Sequence, residues 1–462
     1  MTSQSRLIPL IIASALFMEN MDGTVIATSL PAIAADLGTD PIVLKLAFTT
    51  YLLSLTVFIP VSGWMADRFG ARLIFRAAII IFTLGSIACG SAASLGWLVA
   101  ARAMQGIGGA MMVPVGRIIL LRSIPKSELV DALAWLTIPA LIGPMVGPPV
   151  GGFITDIFGW RWIFWMNVPF GIAAVALASK FMPEITVEHV PQLDLKGFVL
   201  SGLGLSSLIF GLTIMGRDLL PGYAPLLLML FGAGMTALYV VHARVTLEPI
   251  LDLRLLRIET FRAGVVGGSL FRIGVGAVPF LLPLMFQIGY GMTALQSGMI
   301  TFVAAVGAIA MKFGAARTIR RYGFRRLLLV NGILASLSIS IMGLLTDTTP
   351  YLIAVALLFA GGFLRSLQFT AMNAMSYSDV TSEQASSATS LYTVAQQLSL
   401  SMGVVLAAFV LEAAQWWRQE AALQPMDFTI AFMVVAACSL IGLPQFVNLS
   451  ADAGASVSGK RA

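Results

Sequence analysis

Charged residues, cysteine and histidine are all scarce in this chain. Asp, Glu, Lys and Arg make up only 11% of its 462 residues, against about 25% in an average soluble protein. The two cysteines, Cys89 and Cys438, lie inside apolar runs, and neither His189 nor His242 has a second metal ligand nearby. We therefore predict a membrane protein with no disulfide and no metal site.

Several functional classes lack their characteristic residues here. The sequence has no G-x-x-x-x-G-K-[ST] phosphate loop, so we expect no direct use of ATP. It also has no grouping of serine, histidine and an acid that would indicate hydrolysis within the membrane. The basic residues behind the net charge of +6 are spread among short loops, which argues against nucleic acid as a partner. We expect neither an enzyme nor a cofactor.

Apolar residues make up 58% of the chain and are gathered into long runs. A membrane-spanning helix needs about 20 such residues. Fourteen runs of that kind lie near residues 7–30, 42–65, 73–92, 96–120, 130–155, 161–181, 197–216, 221–242, 262–288, 294–314, 326–346, 350–374, 385–411 and 427–448. The sequence thus predicts an all-α polytopic membrane protein.

The loops between these runs differ in charge. If the N-terminus lies inside, the odd-numbered links hold only Arg161, Arg217 and Arg418, whereas fifteen lysines and arginines fall in the even-numbered links. Because basic loops stay on the cytoplasmic side of a membrane, we predict that both termini are cytoplasmic and that the chain lies in the inner membrane.

A compact charged loop joins the second and third runs. It carries one acid and three arginines within about two helical turns, and such a cluster cannot lie in hydrocarbon. Gly70 permits a tight reversal, and we expect Asp67 to hold an arginine of the same loop or to cap the next helix. The residues that we assign to a cytoplasmic gating loop are Gly63, Asp67, Arg68, Gly70 and Arg72. A positive-inside anchor with no moving part is the alternative.

A second basic loop, at 317–326, repeats this spacing. Gly323 takes the position of Gly70, and Arg320 replaces Asp67, so the second copy lacks the acid. The simplest explanation is an internal repeat of two six-helix halves with two helices inserted between them. We expect an N-terminal bundle at 1–181, a linker with the inserted helices at 182–243, a C-terminal bundle at 244–448 and a disordered cytoplasmic tail at 449–462.

The first charged loop also resembles a known signature. Residues 63–76 are similar to the G-x-x-x-D-R-x-G-x-R motif of the major facilitator superfamily, although Ala71 stands where that family often has another basic residue. The resemblance implies the major facilitator fold, in which two six-helix bundles give alternating access to a central site. Motifs similar to those of the family continue in order to about Leu256, and the second half is covered mainly by the repeat.

Two acids occupy the first apolar run. Glu19 and Asp22 are three residues apart and so lie on one helical face. Two carboxylates this close, partly shielded from water, should not both ionise, which gives a site able to hold and release a proton. Residues 22–31 resemble the first-helix motif of fourteen-helix drug and proton antiporters, and that resemblance links Asp22 to transport. The alternative is an acid that only satisfies backbone groups or an arginine.

The fourth run carries Arg102 and Gln105 in a stretch that resembles the R-x-x-Q-G-x-G-G-A motif of the same family. A buried arginine must find an anion, and its expected partner is Asp22 or Glu19. Protonation of that acid would then free Arg102 and couple charge to conformation. Arg102 held only by backbone carbonyls is the structural alternative.

Glycines in the fifth run recur every four residues and form one bare stripe, while prolines there bend the helix. This run is similar to the G-x-x-x-G-P-x-x-G-G motif typical of exporters in the superfamily, which implies a hinge between halves. We expect the tenth run, with Ala304, Ala305 and Gly307, to pack against the stripe. The hinge residues are Gly143, Gly147, Pro148, Gly151 and Gly152.

Other polar groups within the apolar runs are candidates for a cavity wall. An arginine in mid-span should face a cavity or an acid, and an adaptable apolar pocket favours methionine. The residues that we assign to the cavity are Met18, Gln105, Arg272, Gln396 and Gln397. Helix packing is an equal alternative for the glutamines. The tryptophans of residues 160–165 are expected to form an aromatic belt at the outer interface.

These observations lead to a hypothesis about function. We expect a secondary transporter, monomeric in the lipid bilayer, that exports small hydrophobic or cationic compounds in exchange for protons. The sequence leaves open whether the transporter works with an accessory export partner. One alternative is export of a specific endogenous lipid, siderophore or metabolite by the same mechanism. A membrane sensor without transport activity is a second alternative, although the sequence leaves it almost no aqueous domain from which to signal.

Overall fold

The computed structural model of the chain describes residues 3–123, 129–184, 192–215, 222–381, 384–420, 422–450 and 453–454. His189, Arg217 and the end of the predicted tail, 455–462, lie outside these ranges. Long helices dominate the described part. They are α1 (Ser3–Leu37), α2 (Lys45–Phe69), α3 (Ala71–Gly90), α4 (Leu95–Ser123), α5 (Leu129–Phe158), α6 (Trp162–Phe181), α7 (Leu195–Ile214), α8 (Ala224–Val245), α9 (Glu259–Gly289), α10 (Ala294–Lys312), α11 (Phe324–Met342), α12 (Tyr351–Ser376), α13 (Ala385–Arg418) and α14 (Pro425–Val447).

The helices agree with the apolar runs of the sequence. Thirteen of them are long and apolar enough, within the described residues, to cross a membrane. Helix α5 is the remaining one, with 30 residues. The predicted all-α polytopic fold is confirmed, and the protein is a multi-pass integral membrane protein.

Helix packing repeats between the two halves of the chain. In the first half α1 packs against α5 and α6, and α4 packs against α2 and α3. The same scheme relates α9 to α13 and α14, and α12 to α10 and α11. The halves meet where α5 contacts α10 and where α13 contacts α2. This pattern is that of an internal repeat, and the domain boundaries given above stay predictions.

The inserted helices α7 and α8 form an antiparallel pair. Asp194 caps α7 by accepting a hydrogen bond from the Gly197 amide, and it also contacts His242 of α8 and the Ile250 amide. Burial acts to raise the pKa of Asp194, but these hydrogen bonds outweigh it and leave the pKa below its ordinary value. Asp194 therefore ties the start of α7 to the end of α8 and to the link before the second half.

The halves are joined at one end of the molecule, where α1, α5, α9 and α13 finish and α2 and α10 begin. We call this the joined end. Hydrogen bonds there run from Gln287 to the Thr28 carbonyl at 2.9 Å and from the Leu295 amide to Asp156 at 2.8 Å. Backbones also approach closely, since a Cβ added to Gly298 would lie 2.2 Å from the Pro148 carbonyl oxygen. The opposite end, which carries the basic loops 63–76 and 317–326, is called the basic end.

The start of the predicted tail is packed, contrary to the sequence-based expectation. Leu449 and Ala453 are buried, and the Ser450 amide donates a hydrogen bond to Glu259 at the start of α9. The apolar side chains of Leu449 and Ala453 anchor the start of the tail. The prediction of disorder used the average composition of the whole tail, which is small and polar, and so missed these two residues.

Candidate functional site

A buried ion pair joins α1 and α4. Arg102 Nη1 lies 2.6 Å from Asp22 Oδ2, and both side chains are 1% exposed. The guanidinium also stacks on the Tyr51 ring of α2, 4.2 Å from its centroid. The structure thus contains the pairing expected for Arg102, and of its two candidate partners the acid is Asp22.

Amide side chains complete the environment of Asp22. Gln105 and Asn167 each donate a hydrogen bond to Asp22 Oδ1 at 2.8 Å. Both amides also donate to Ser86 Oγ, and Gln105 Oε1 accepts from Arg102 at 2.6 Å. All of these side chains are buried. Because buried polar groups with satisfied hydrogen bonds fix one arrangement, the cluster fastens α1, α3, α4 and α6 together.

Two members of this cluster were missed at the sequence level. Ser86 lies in the apolar second half of α3, and Asn167 follows the tryptophan-rich stretch 160–165, so neither stands out in the sequence as a site residue. The predicted aromatic belt there is wrong for Trp160, which is 4% exposed, whereas Trp162 is 56% exposed. Gln105, predicted to line a cavity, instead serves the ion pair in this conformation. Met18 is also buried, within the apolar core of the first half.

Glu19 differs from Asp22, one turn away, in its surroundings. Its residue is half-buried, but Oε2 is buried and has no hydrogen-bond partner among the described residues. Its Oε1 faces Gly109 of α4, where an added Cβ would lie 3.6 Å from it. The space beside Gly23, on the same helix, is open to at least 4 Å. A buried carboxylate oxygen without a donor is unfavourable, so this arrangement suits the neutral acid.

The charged loop pairs with helix ends elsewhere in the first half. Asp67 accepts a hydrogen bond from Arg122 at the end of α4, at 2.7 Å. The expectation that Asp67 holds an arginine of its own loop is therefore wrong, because the nearest cation in space is not the nearest in sequence. Arg72 donates to the Ser179 carbonyl of α6, and Arg68 is exposed.

Glycine makes the reversal in both basic loops. Gly70 has φ +93° between α2 and α3, and Gly323 has φ +72° before α11. Residues with a Cβ rarely adopt such values. The alignment of these two loops is thus confirmed by their backbone geometry. Gly63 packs near Ile118 of α4.

The glycine stripe of α5 packs against α1, not against α10. A Cβ added to Gly147 would lie 2.0 Å from Thr24 Oγ1, and one added to Gly143 would lie 2.9 Å from the Phe17 carbonyl oxygen. Gly152, one residue beyond the stripe, is the position that meets Ala294 of α10. Adjacent residues of a helix point about 100° apart, which is why the two contacts separate.

We predict that Gly147→Ala destabilises the protein by on the order of 1–3 kcal/mol, since the added methyl must push α1 and α5 apart. The loss of stability is measured by thermal unfolding in detergent, with tryptophan fluorescence as the signal. Gly23→Ala is the matched control because its Cβ meets open space. Equal melting temperatures for the two variants would contradict the prediction.

A buried ion pair also closes the joined end. Lys45 Nζ of α2 lies 2.8 Å from Glu412 Oε1 of α13, with the two side chains 1% and 11% exposed. Loss of one partner from a buried pair costs about 3–5 kcal/mol, which is comparable to the free energy that separates two conformations of one protein. This pair is therefore a candidate gate between the halves.

We predict that Glu412→Gln shifts the population toward a state that is open at the joined end. Spin labels at Ala35 and Asp347, both exposed at this end, would report longer distances. The labels are attached to cysteines introduced at these two positions, in a protein whose own Cys89 and Cys438 have been replaced by serine. Glu420→Gln is the control, because Glu420 pairs with Arg418 of the same half. Identical distance distributions for the two variants would exclude a gating role.

The second half holds two buried arginines. Arg272 donates to the Tyr392 hydroxyl and to the Gly264 carbonyl. Arg365 contacts Met342 Sδ at 3.5 Å. Gln396 and Gln397 are half-buried on α13. Among the described residues no carboxylate is paired with either arginine.

The comparisons with known proteins agree with this architecture. The family model of the Major Facilitator Superfamily matches residues 12–404. A protein of Cronobacter sakazakii named as multidrug resistance protein MdtD is 37% identical over 404 residues, covering 87% of this chain and 85% of that relative. A protein of the same name from Escherichia coli O6:H1 is 34% identical over 446 residues, covering 95% and 93%.

Solved structures share the fold at low sequence identity. The POT family transporter PepTSo gives a TM-score of 0.71 at 14% identity, covering 96% of this chain and 97% of that one. A D-xylose–proton symporter gives 0.67 at 14% identity, with the same coverage. The chain is a membrane transporter rather than an enzyme, and it belongs to the Major Facilitator Superfamily.

Proposed function

We propose that this protein exports small apolar organic compounds from the cytoplasm in exchange for protons, by alternating access. The observation that carries the proposal is the cluster in the first half. It combines a buried ion pair, Asp22 with Arg102, and a second acid, Glu19, to which no cation of the described residues is paired. Ionisable groups inside a membrane are expensive, and proton transfer is a function that requires them.

The two acids of α1 have different roles in this mechanism. We assign Asp22 as the counter-ion of Arg102, because its two oxygens accept hydrogen bonds from Arg102, Gln105 and Asn167. Glu19 is the proton carrier. When Glu19 releases its proton it becomes a second anion one helical turn from Asp22, and Arg102 can then be shared between them. The contacts of α4 with α1 change accordingly, which couples the proton to the conformation of the bundle.

Sidedness follows from charge. The basic end carries the loops with Arg68, Arg72, Arg321 and Arg325, so we place it in the cytoplasm of a bacterial inner membrane, with both termini on that side. The joined end then faces outward, and the present conformation is closed to the outside. Each proton that enters supplies about 2.3 kcal/mol per 100 mV of membrane potential, which can drive the opposite movement of a compound.

Export of small compounds is supported by the relatives and by one motif. Two of them are named as multidrug resistance proteins, and the proline-containing glycine stripe of α5 resembles the motif of exporters. The buried arginines of the second half do not favour a cation. Export of one endogenous acidic metabolite is therefore the second candidate function.

Growth and accumulation assays test the proposal. Cells that lack their own efflux pumps are grown with a panel of apolar compounds, with and without the expressed chain. We expect tolerance to at least one compound, together with lower accumulation that an uncoupler restores. Tolerance that persists in the presence of an uncoupler would contradict proton exchange, and no protection or reduced accumulation across the panel would contradict export of apolar compounds.

A further inference from the structure

Arg272 is a buried cation, and no acid in the described part of the chain balances its charge. It lies in the middle of α9, is 0% exposed, and its Nε has no hydrogen-bond partner among those residues. Its contacts are the Tyr392 hydroxyl, the Gly264 carbonyl oxygen and two aromatic rings, those of Tyr392 and Phe369. No carboxylate lies among these partners. An isolated buried charge is costly unless an opposite charge meets it.

The first half shows how this chain satisfies a buried arginine. There Arg102 has the carboxylate of Asp22, the amide of Gln105 and the Tyr51 ring. By the internal repeat, α9 corresponds to α1 and α12 to α4. Helix α1 carries the acids Glu19 and Asp22 in mid-span, whereas α9 carries the cation Arg272 there. Among the described residues no carboxylate serves Arg272 as Asp22 serves Arg102.

Two tyrosines lie near Arg272. The Tyr377 and Tyr392 rings lie 5.4 Å apart. The Tyr392 hydroxyl accepts a hydrogen bond from Arg272, and the Tyr392 ring stacks under its guanidinium, 4.6 Å from the ring centroid. A guanidinium and phenolic groups therefore lie together within the second half. This set of donors fits a carboxylate, which accepts two parallel hydrogen bonds from a guanidinium.

We infer that Arg272, together with Tyr392, binds the carboxylate of the transported compound, whose apolar body lies against the neighbouring aromatic rings. This inference deepens the export function proposed above and rests on it. The bound anion supplies the missing counter-charge of Arg272.

Arg365 provides the matched comparison. It is an arginine of the same half, 9% exposed, with no carboxylate paired to it among the described residues. Its guanidinium contacts the thioether of Met342 on α11, whereas that of Arg272 contacts the Tyr392 hydroxyl. A general effect of positive charge would make the two arginines equivalent. A specific carboxylate site would distinguish them.

The test measures equilibrium binding of three probes that share one apolar body. These are 1-pyrenebutyric acid, 1-pyrenebutanol and 1-pyrenebutylamine, added to the purified full-length protein in detergent, with quenching of tryptophan fluorescence as the signal. Partition of each probe into micelles is the same for all variants. We expect the acid to bind at least about tenfold more tightly than the alcohol, as expected for one hydrogen-bonded charge, and the amine to bind most weakly.

Variants then show which residue causes the preference for the acid probe over the alcohol. Arg272→Gln should lose the preference for the acid and keep the affinity for the alcohol within about threefold, whereas Arg365→Gln should retain the preference. Tyr392→Phe, which keeps the ring, should weaken binding of the acid alone, and it replaces Arg272→Gln if that variant does not fold. Equal binding of the acid and the alcohol by the unmodified protein would overturn the inference. Equal losses for Arg272→Gln and Arg365→Gln would overturn it as well.

This assay is independent of proton coupling. It uses neither a membrane nor a gradient, so a protein that failed to exchange protons would still show the carboxylate preference. Conversely, proton-driven export of alcohols and amines with no preference for acids would leave the proposed function intact and remove this inference.

Discussion

Asp22→Asn is expected to destabilise the protein by about 3–5 kcal/mol, as is typical when a buried ion pair loses one partner, and to stop transport. The structure gives the reason. Asp22 Oδ2 accepts from Arg102, and Oδ1 accepts from both Gln105 and Asn167. Asparagine has only one acceptor oxygen, so its amide must turn a donor toward one of these donors, and Arg102 is left without a counter-charge at 0% exposure.

A double variant separates the two effects. Asp22→Asn combined with Arg102→Gln removes both charges, so the buried cation no longer has to be accommodated. We expect the double variant to regain most of the stability that either single variant loses, which is the signature of a direct interaction in a double-mutant cycle. Transport should stay lost, because the pair is required for the coupling that we propose.

Thermal unfolding in detergent and uptake into everted vesicles are measured on all four proteins. An Asp22→Asn variant that unfolds at the temperature of the unmodified protein would show that the ion pair contributes little. A double variant less stable than both single variants would show that the two side chains act separately.

The sequence predicted the parts of this site that follow from simple electrostatics. An arginine in mid-membrane needs an anion, and few acids lie inside the spans, so Asp22 and Glu19 were the candidates for Arg102. Which of them it pairs with depends on helix rotation, which spacing alone does not determine. The amides of Gln105 and Asn167 decide it by adding hydrogen bonds to Asp22 alone.

Contacts between distant segments were harder to predict. Asn167 lies in α6, far along the chain from Asp22, and only its polarity among apolar neighbours could have indicated it. The glycine stripe was recognised as a close-packing surface, but its period fits several partners, and the side chains of α1 select the contact. Asp67 has three arginines nearby in sequence, yet the helical crossing brings Arg122 to it instead.

Glu19→Gln is expected to abolish accumulation driven by a proton gradient while leaving the protein folded. Its Oε2 has no hydrogen-bond partner, and no ion pair to Glu19 is present among the described residues. Glutamine has nearly the same shape as the neutral acid, so the substitution resembles a permanently protonated carrier. Stability should therefore change far less than for Asp22→Asn, although both variants remove one acid from α1.

Reconstituted vesicles can distinguish proton coupling from substrate passage. With a pH gradient, Glu19→Gln should fail to concentrate a substrate that the unmodified protein concentrates. With substrate on both sides and no gradient, it should still exchange labelled for unlabelled compound, because the halves can move while Glu19 stays neutral. Glu420→Gln, which removes an exposed acid at the joined end, is the control and should behave as the unmodified protein in both assays.

The outcome also shows which of the two acids, Glu19 or Asp22, carries the proton. If Glu19→Gln still concentrates substrate against a gradient, the proton cannot be carried by Glu19, and Asp22 becomes the carrier despite its three donors. If Glu19→Gln loses both accumulation and exchange, the side chain is needed for movement of the helices themselves. Loss of accumulation alone, with exchange retained, is the result that we expect. Glu19 Oε2 has no hydrogen-bond partner among the described residues, whereas Asp22 is held by Arg102, Gln105 and Asn167. A proton can therefore bind Glu19 without disturbing the ion pair of Asp22 with Arg102.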